Sequence, residues 1–288
     1  MDWLTGIIED NKIPIGPWAE FFINFLTDNF TWFFDGLSRG LDAAIEGLTE
    51  FLLYFPPLVL VVAIAAFAYW LHRSLALAAG VILFLLLIVN QGYWEPTIET
   101  LALVLFATLV CMVVGVPIGI AAAHRPWLYT GIRPILDLMQ TIPTFVYLIP
   151  TLVVFGLGVV PGLISTVIFA MPASIRLTHL GVSTVPKPLL EAGEAFGATP
   201  RQLLWKVELP YALPNIMAGL TQVIMLSLSM VVIAALVGAG GLGTPVVRAL
   251  SQMRVPIGIE AGLSIVIVAI LLDRICKQPG SKAKEPGS

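Results

Sequence analysis

The sequence predicts an all-α integral membrane protein. Three observations carry this: 58% of its 288 residues are hydrophobic, 11% are charged, and mean hydropathy is +0.94. The apolar residues fall in long runs rather than in core-facing stripes, so a bilayer sets the architecture. A soluble enzyme is excluded. With a net charge of −3 and its Lys and Arg residues scattered singly, the chain offers no basic surface to nucleic acid. Cys111 sits inside an apolar run and Cys276 beyond the last one, which gives neither a disulfide framework nor a Cys-based metal site.

Three regions follow in order: an N-terminal amphipathic segment (residues 1–53), a transmembrane region (54–275) and a tail (276–288). The first ten residues carry Asp2, Glu9 and Asp10 where a secretory signal would place positive charge, so nothing there reads as a cleaved leader. Between Trp18 and Phe51, the residues Phe22, Phe25, Phe33, Leu37, Leu41, Leu48 and Leu52 recur at three- and four-residue steps. Asp28, Asp35 and Asp42 return on the other face. This pattern predicts one or two interfacial helices on the outer leaflet, held by apolar area; packing against a soluble subunit is the alternative.

Seven apolar runs are long enough to be read as spans: 54–71, 75–89, 97–123, 142–159, 161–175, 213–237 and 256–272. Gly115, Pro117, Pro143, Pro150 and Pro172 interrupt them, which predicts bent helices lining protein or water. Arg73, the pair Arg125 and Arg133, the group Arg176, Lys187, Arg201 and Lys206, and the tail with Arg274, Lys277, Lys282 and Lys284 occupy alternate loops. These loops are therefore predicted to be cytoplasmic. Residues 90–96 and 158–162 hold no Lys or Arg; 238–255, with Arg248 and Arg254, is the weak exception. Seven spans then place the N-terminus outside and the C-terminus inside. The Lys-, Pro-, Gly- and Ser-rich residues 278–288 read as a disordered cytoplasmic end.

Two enzyme-like patterns fail on context. Gly36-Leu37-Ser38-Arg39-Gly40 matches a nucleophile elbow but lies within a helical period, without the strand and sharp turn that motif needs. Residues Gly238 to Gly243 match a dinucleotide-binding pattern but follow a span and lack the strand–turn–helix unit, so a flexible loop is expected. His72, His124 and His179 stand at cytoplasmic span ends with no Asp or Glu spaced for zinc, and read as interfacial histidines. Glu99 and Glu260 are the carboxylates near span starts, each within reach of water at the outer interface. Without an acidic relay across the membrane, a proton-coupled secondary transporter has little to work with.

The informative stretch is residues 186–210, which predicts two short helices joined by a glycine elbow. Pro188 opens the first; Leu189, Ala192, Ala195 and Phe196 form an apolar stripe; Gly197 ends it in a left-handed cap; Thr199 caps the second, with Pro200 in its first position. Glu191 and Glu194 suit the helix N-terminus, and by itself this reading is satisfied by a well-capped surface helix.

The same residues resemble the permease subunits of ABC importers. Their signature is Glu-Ala-Ala, three residues, Gly, nine residues, Ile, one residue, Leu-Pro. Here Glu191, Ala192, Gly193, Gly197, Val207, Leu209 and Pro210 stand at those spacings, departing by Gly193 for Ala and Val207 for Ile. The runs from Gln140 to Pro150, Ile175 to Thr178, Met217 to Leu220, Leu228 to Ala234 and Gly240 to Gly243, with the long N-terminal segment, resemble the quaternary-amine branch, importers of glycine betaine, proline betaine, choline or carnitine. The resemblance implies the type I importer permease fold and no enzyme activity of the chain itself. It implies a cytoplasmic ATP-binding subunit that holds ATP and Mg, an external substrate-binding protein, and a second copy of the permease. It assigns the contact with the ATPase to Glu191, Ala192, Gly193, Glu194, Gly197, Val207, Leu209 and Pro210, and a pathway near Thr141, Thr144, Tyr147 and Ser229. The chain itself then binds no cofactor and no metal. An ABC permease for an amino acid or a sulfonate, and an ion-coupled secondary transporter, are the alternatives.

Overall fold

The computed structural model describes residues 14–277. The first ten residues and the tail 278–288, read above as lacking a signal and as disordered, lie outside them. Every regular element among the described residues is helical: α1 (Ile15–Leu53), α2 (Pro57–His72), α3 (Leu75–Asn90), α4 (Trp94–His124), α5 (Pro126–Thr141), α6 (Thr144–Phe155), α7 (Val159–Ser183), α8 (Lys187–Ala195), α9 (Pro200–Leu203), a π-helical turn (Leu204–Glu208), α10 (Leu209–Ala235), α11 (Gly243–Ser251) and α12 (Val255–Cys276).

All seven apolar runs are helical, but they are not equivalent. α4, α7, the continuous Pro200–Ala235 stretch and α12 are each long and apolar enough to cross a membrane. α2 and α3 have 16 residues each, about 24 Å at 1.5 Å per residue, and so fall short of a ~30 Å hydrocarbon core. The run 142–159 departs most from expectation. Its helix α6 has 12 residues and stops at Phe155, because Gly156 and Gly158 take φ of +74° and +144°. α6 meets α5 at a 97° bend across Ile142 and Pro143, so this pair forms at most one broken span. Counting each bent pair as one span raises the total from four to six.

α7 is the central helix. α4 and α10 pack along it, and it is buried through most of its length. These contacts are made by small residues. Gly115 and Gly119 of α4, one turn apart, face Ser174 and Thr178 of α7, so the two backbones approach closely. Ser174 Oγ donates to Cys111 O across the interface at 2.8 Å. The glycine that the sequence reading took as a helix interruption is thus a packing surface. Pro117 and Pro172 sit inside unbroken helices, Pro172 buried among neighbouring helices and Pro117 on an exposed face of α4.

α1 covers 39 residues as two helical segments that run on from each other across a kink at Phe30, where the backbone leaves helical φ/ψ. Its later half packs on the chain's own core: Ile45 is buried, Leu41 and Leu48 pack beside it, and Phe34 meets Phe155 edge-on at 5.6 Å. Its earlier half exposes Trp18, Phe21, Phe22, Phe25 and Trp32. The bend from α1 to α2 is 100°. The Gly36–Gly40 pattern lies inside α1, in plain helix.

Long-range contacts sort the loops into two ends. Tyr93 and Glu260 meet at one end, as do Gly158 and Val237. At the other, His72 Nε2 lies 2.9 Å from Ile275 O and His124 Nε2 lies 2.7 Å from Glu208 Oε2. The loops richest in Lys and Arg share this second end.

Candidate functional site

The coupling-loop candidate forms from local signals. Pro188 sits in the first turn of α8, where no donor is required. Gly197, at φ +75°, reverses the chain, donating its N–H to Glu194 O at 2.8 Å, and Ala198 N–H reaches Gly193 O at 3.1 Å. Thr199 then closes a capping box: its side chain accepts from Gln202 N–H, and Gln202 Oε1 accepts from Thr199 N–H at 2.8 Å.

The second helix is not short and separate. α9 continues through the π turn into α10, a single 36-residue rod from Pro200 to Ala235. Leu209 N–H donates to Leu204 O, an i→i+5 bond, and this wider turn seats Pro210 without breaking the rod. The elbow at Gly197 is therefore the joint between an exposed nine-residue helix and a membrane-length lever.

Of the residues assigned to this loop, Glu191, Ala192, Glu194, Gly197 and Pro210 are exposed, while Gly193, Val207 and Leu209 are partly buried. Leu209 packs on Val182, Ala212 and Ile216. Gly193, one departure from the signature, lies where a Cβ would come within 2.6 Å of Leu203 Cδ1, so α8 sits tightly on α9 here. The stripe of Leu189, Ala192, Ala195 and Phe196 faces outward; Phe196 is 91% exposed and Trp205 70%. This apolar ridge is not buried by any other part of the described residues.

The proposed pathway residues do not share one environment. Thr141 is exposed and Thr144 half-buried, on either side of the α5–α6 bend; Ser229 is exposed on α10 and bonds its own helix at Met225 O. Tyr147 is buried. Its hydroxyl donates to Met139 O at 2.9 Å, which braces the bend rather than leaving the hydroxyl free. A cavity of about 350 Å³ opens between α10 and the end of α12, lined by Met217, Thr221, Gln222, Met225, Asp273 and Lys277; Ser229 does not line it. A second, of about 420 Å³, lies at the opposite end between Glu46, Glu50, Glu99 and Gly240.

Two sequence readings need correction. The Gly238–Gly243 segment is a fixed turn: Gly238, Gly240 and Gly241 have positive φ, Gly241 N–H donates to Glu99 Oε2 at 2.5 Å and Leu242 N–H to Thr100 Oγ1 at 2.8 Å. Glu99 is engaged by backbone rather than only by water. Glu260 accepts from Tyr93 Oη at 3.3 Å, and burial together with the Glu260 charge pushes the Tyr93 phenol pKa up. The histidines stand at or near helix ends, each with its own partner. His179 stacks on Tyr129 at 3.6 Å, and His124 pairs with Glu208, a carboxylate only 7% exposed. No sequence signal marked that pair, because its members are 84 residues apart. The four-residue spacing of Gly115 and Gly119 is a signal for close helix contact, but not for which helix they meet.

Residues 115–277 match the family described as binding-protein-dependent transport system inner membrane component. The chain is 48% identical to the glycine betaine transport system permease protein OpuAB of Bacillus subtilis, over 96% of this chain and 98% of that one. It is 42% identical to the glycine betaine/proline betaine transport system permease protein ProW of Escherichia coli, over 100% of this chain and 84% of the relative. Among solved structures, a chain of the MetNI methionine ABC transporter in an inward-facing conformation aligns with a TM-score of 0.56 at 28% identity. The alignment covers 62% of this chain and 91% of that one.

Proposed function

Since the chain belongs to the family of binding-protein-dependent transport system inner membrane components, we propose that it is the permease subunit of an ATP-driven importer of glycine betaine and related quaternary ammonium compounds. The observation that carries the proposal is the outward apolar ridge of α8, hinged at Gly197 to a rod that runs on into a membrane span. Such a lever turns movement of a partner bound at the ridge into tilt of α10. The partner is a cytoplasmic ATPase, which binds the ATP and Mg. A second permease copy completes the pathway, and an external binding protein delivers the substrate. In this reading the His124 end faces the cytoplasm of a bacterial inner membrane and the glycine-turn end faces outside, following the Lys and Arg distribution.

ATP binding brings the two ATPase subunits together, the α8 helices follow, and the paired permeases exchange inward- for outward-facing states. A quaternary ammonium has no N–H to donate, so weakly polar walls can pass it without a buried carboxylate partner. The two span-proximal glutamates fit this: Glu99 is bound to backbone and Glu260 to Tyr93. Substrate class rests on the near-full-length similarity to glycine betaine permeases.

Proteoliposomes holding permease and ATPase are expected to accumulate glycine betaine or choline only with ATP enclosed and binding protein outside. Equal accumulation on a sodium or proton gradient without ATP refutes the mechanism. ATP-driven uptake of an amino acid, uncontested by either amine, refutes the substrate class alone.

A further inference from the structure

Glu208 is the one buried carboxylate among the described residues, and neither the signature spacing nor the exposed ridge uses it. It stands between Val207 and Leu209, at the position the signature leaves open, where the π turn becomes α10. Its Oε2 lies 2.7 Å from Nε2 of His124, the last residue of α4. A buried carboxylate needs a partner, and here it is the end of another span.

At its other end α4 holds the same rod again. Glu99 and Thr100, near the start of α4, accept from Gly241 and Leu242 N–H, just beyond the end of α10. α4 and α10 are therefore clamped to each other at both ends; between the clamps they touch each other and both pack on α7. α8, by contrast, rests on α9 and the π turn. A push on α8 enters the rod at α9, and the first fixed contact it meets on a separate span is His124.

We propose that the His124–Glu208 pair is a positioning contact that makes α4 and α10 tilt as one body, so that displacement of α8 reaches the glycine turn at the far end. This rests on the permease reading above. His124 and Glu208 touch neither substrate nor ATP. Without the inner clamp, α10 can swing against α4 and ATP hydrolysis proceeds with less transport per turnover.

The test uses the whole complex in proteoliposomes and reads substrate imported per ATP hydrolysed. His124→Ala is expected to keep ATPase co-purification and ATP hydrolysis within about twofold, while import per ATP falls at least about fivefold. His124→Gln, which keeps an N–H donor near the same place, is expected to stay within about twofold of wild type. Adding Glu208→Ala to His124→Ala is expected to lower the ratio no further. Nitroxide labels at Leu189 and Leu250 read the motion directly: wild type changes their distance on ATP binding, and His124→Ala is expected to change it less. An unchanged ratio in His124→Ala overturns the proposal, as does a fall in His124→Gln equal to that in His124→Ala. If His124→Ala fails to assemble, the comparison of His124→Gln with Glu208→Leu decides: Glu208→Leu, which removes the acceptor, at the wild-type ratio and wild-type label motion overturns the proposal. Absence of ATP-driven import by wild type refutes the functional reading instead.

Discussion

Replacing Gly119 by Ala tests the packing on which the lever depends. A Cβ at this position would stand 2.7 Å from Ile175 O and 2.7 Å from Thr178 Cβ. Ordinary contact begins at 3.4 Å, so α4 and α7 must part by roughly 0.7 Å, the difference between the two. A backbone carbonyl cannot rotate away, and overfilling a packed interface of this kind costs about 1–3 kcal/mol. Ala gains about 0.9 kcal/mol over Gly in helix propensity, which offsets part of the cost. The net expectation is a loss of up to about 2 kcal/mol. Gly131→Ala is the control: Gly131 is exposed in α5 with nothing within 4 Å of the added Cβ, so it collects the propensity gain alone. The midpoint temperature of the purified permease–ATPase complex should therefore rank Gly131→Ala above wild type and Gly119→Ala below it. Thr178→Gly should recover only part of the loss, since Ile175 O remains in place. If Gly119→Ala is as stable as Gly131→Ala, the close approach of α4 to α7 is wrong.

Gly197→Val, at φ +75°, is expected to cost about 1–2 kcal/mol of local strain, and co-purification of the ATPase should fall while membrane insertion holds; full co-purification would remove the hinge. Glu99→Gln weakens a charge-assisted bond to Gly241 N–H, for a loss of about 1–2 kcal/mol, and a Cys placed at Thr244 should then react faster with maleimide than in wild type. No change in that rate would show that the turn holds itself. For orientation, an impermeant maleimide added to intact cells should label a Cys at Gln91 and not one at Pro188; the reverse pattern inverts the topology and places α8 beyond reach of a cytoplasmic ATPase.

Much of this protein is written in local order. Apolar runs make membrane helices because no unpaired backbone group can face lipid. The α8 elbow was legible residue by residue, since Pro188, Gly197, Thr199 and Pro200 each act on their immediate neighbours. The amphipathic period of α1 was likewise a local property, although its packing on α4 and α7 was not.

The tertiary structure alone decided what each irregular residue is for. Gly115 read as a break until the structure laid α7 against it and Gly119. The 142–159 run was apolar enough for a span, yet Gly156 and Gly158 end its helix, and Tyr147 is spent on bracing a bend. The Gly238–Gly243 turn is rigid only because Glu99 and Thr100 meet it from another helix. The continuity of α9 with α10 depended on a π turn that no composition signals. Most of all, the His124–Glu208 pair spans 84 residues of chain. Sequence periodicity records which face of a helix is buried, but not which distant side chain will meet it there, because that choice belongs to the packing of whole helices.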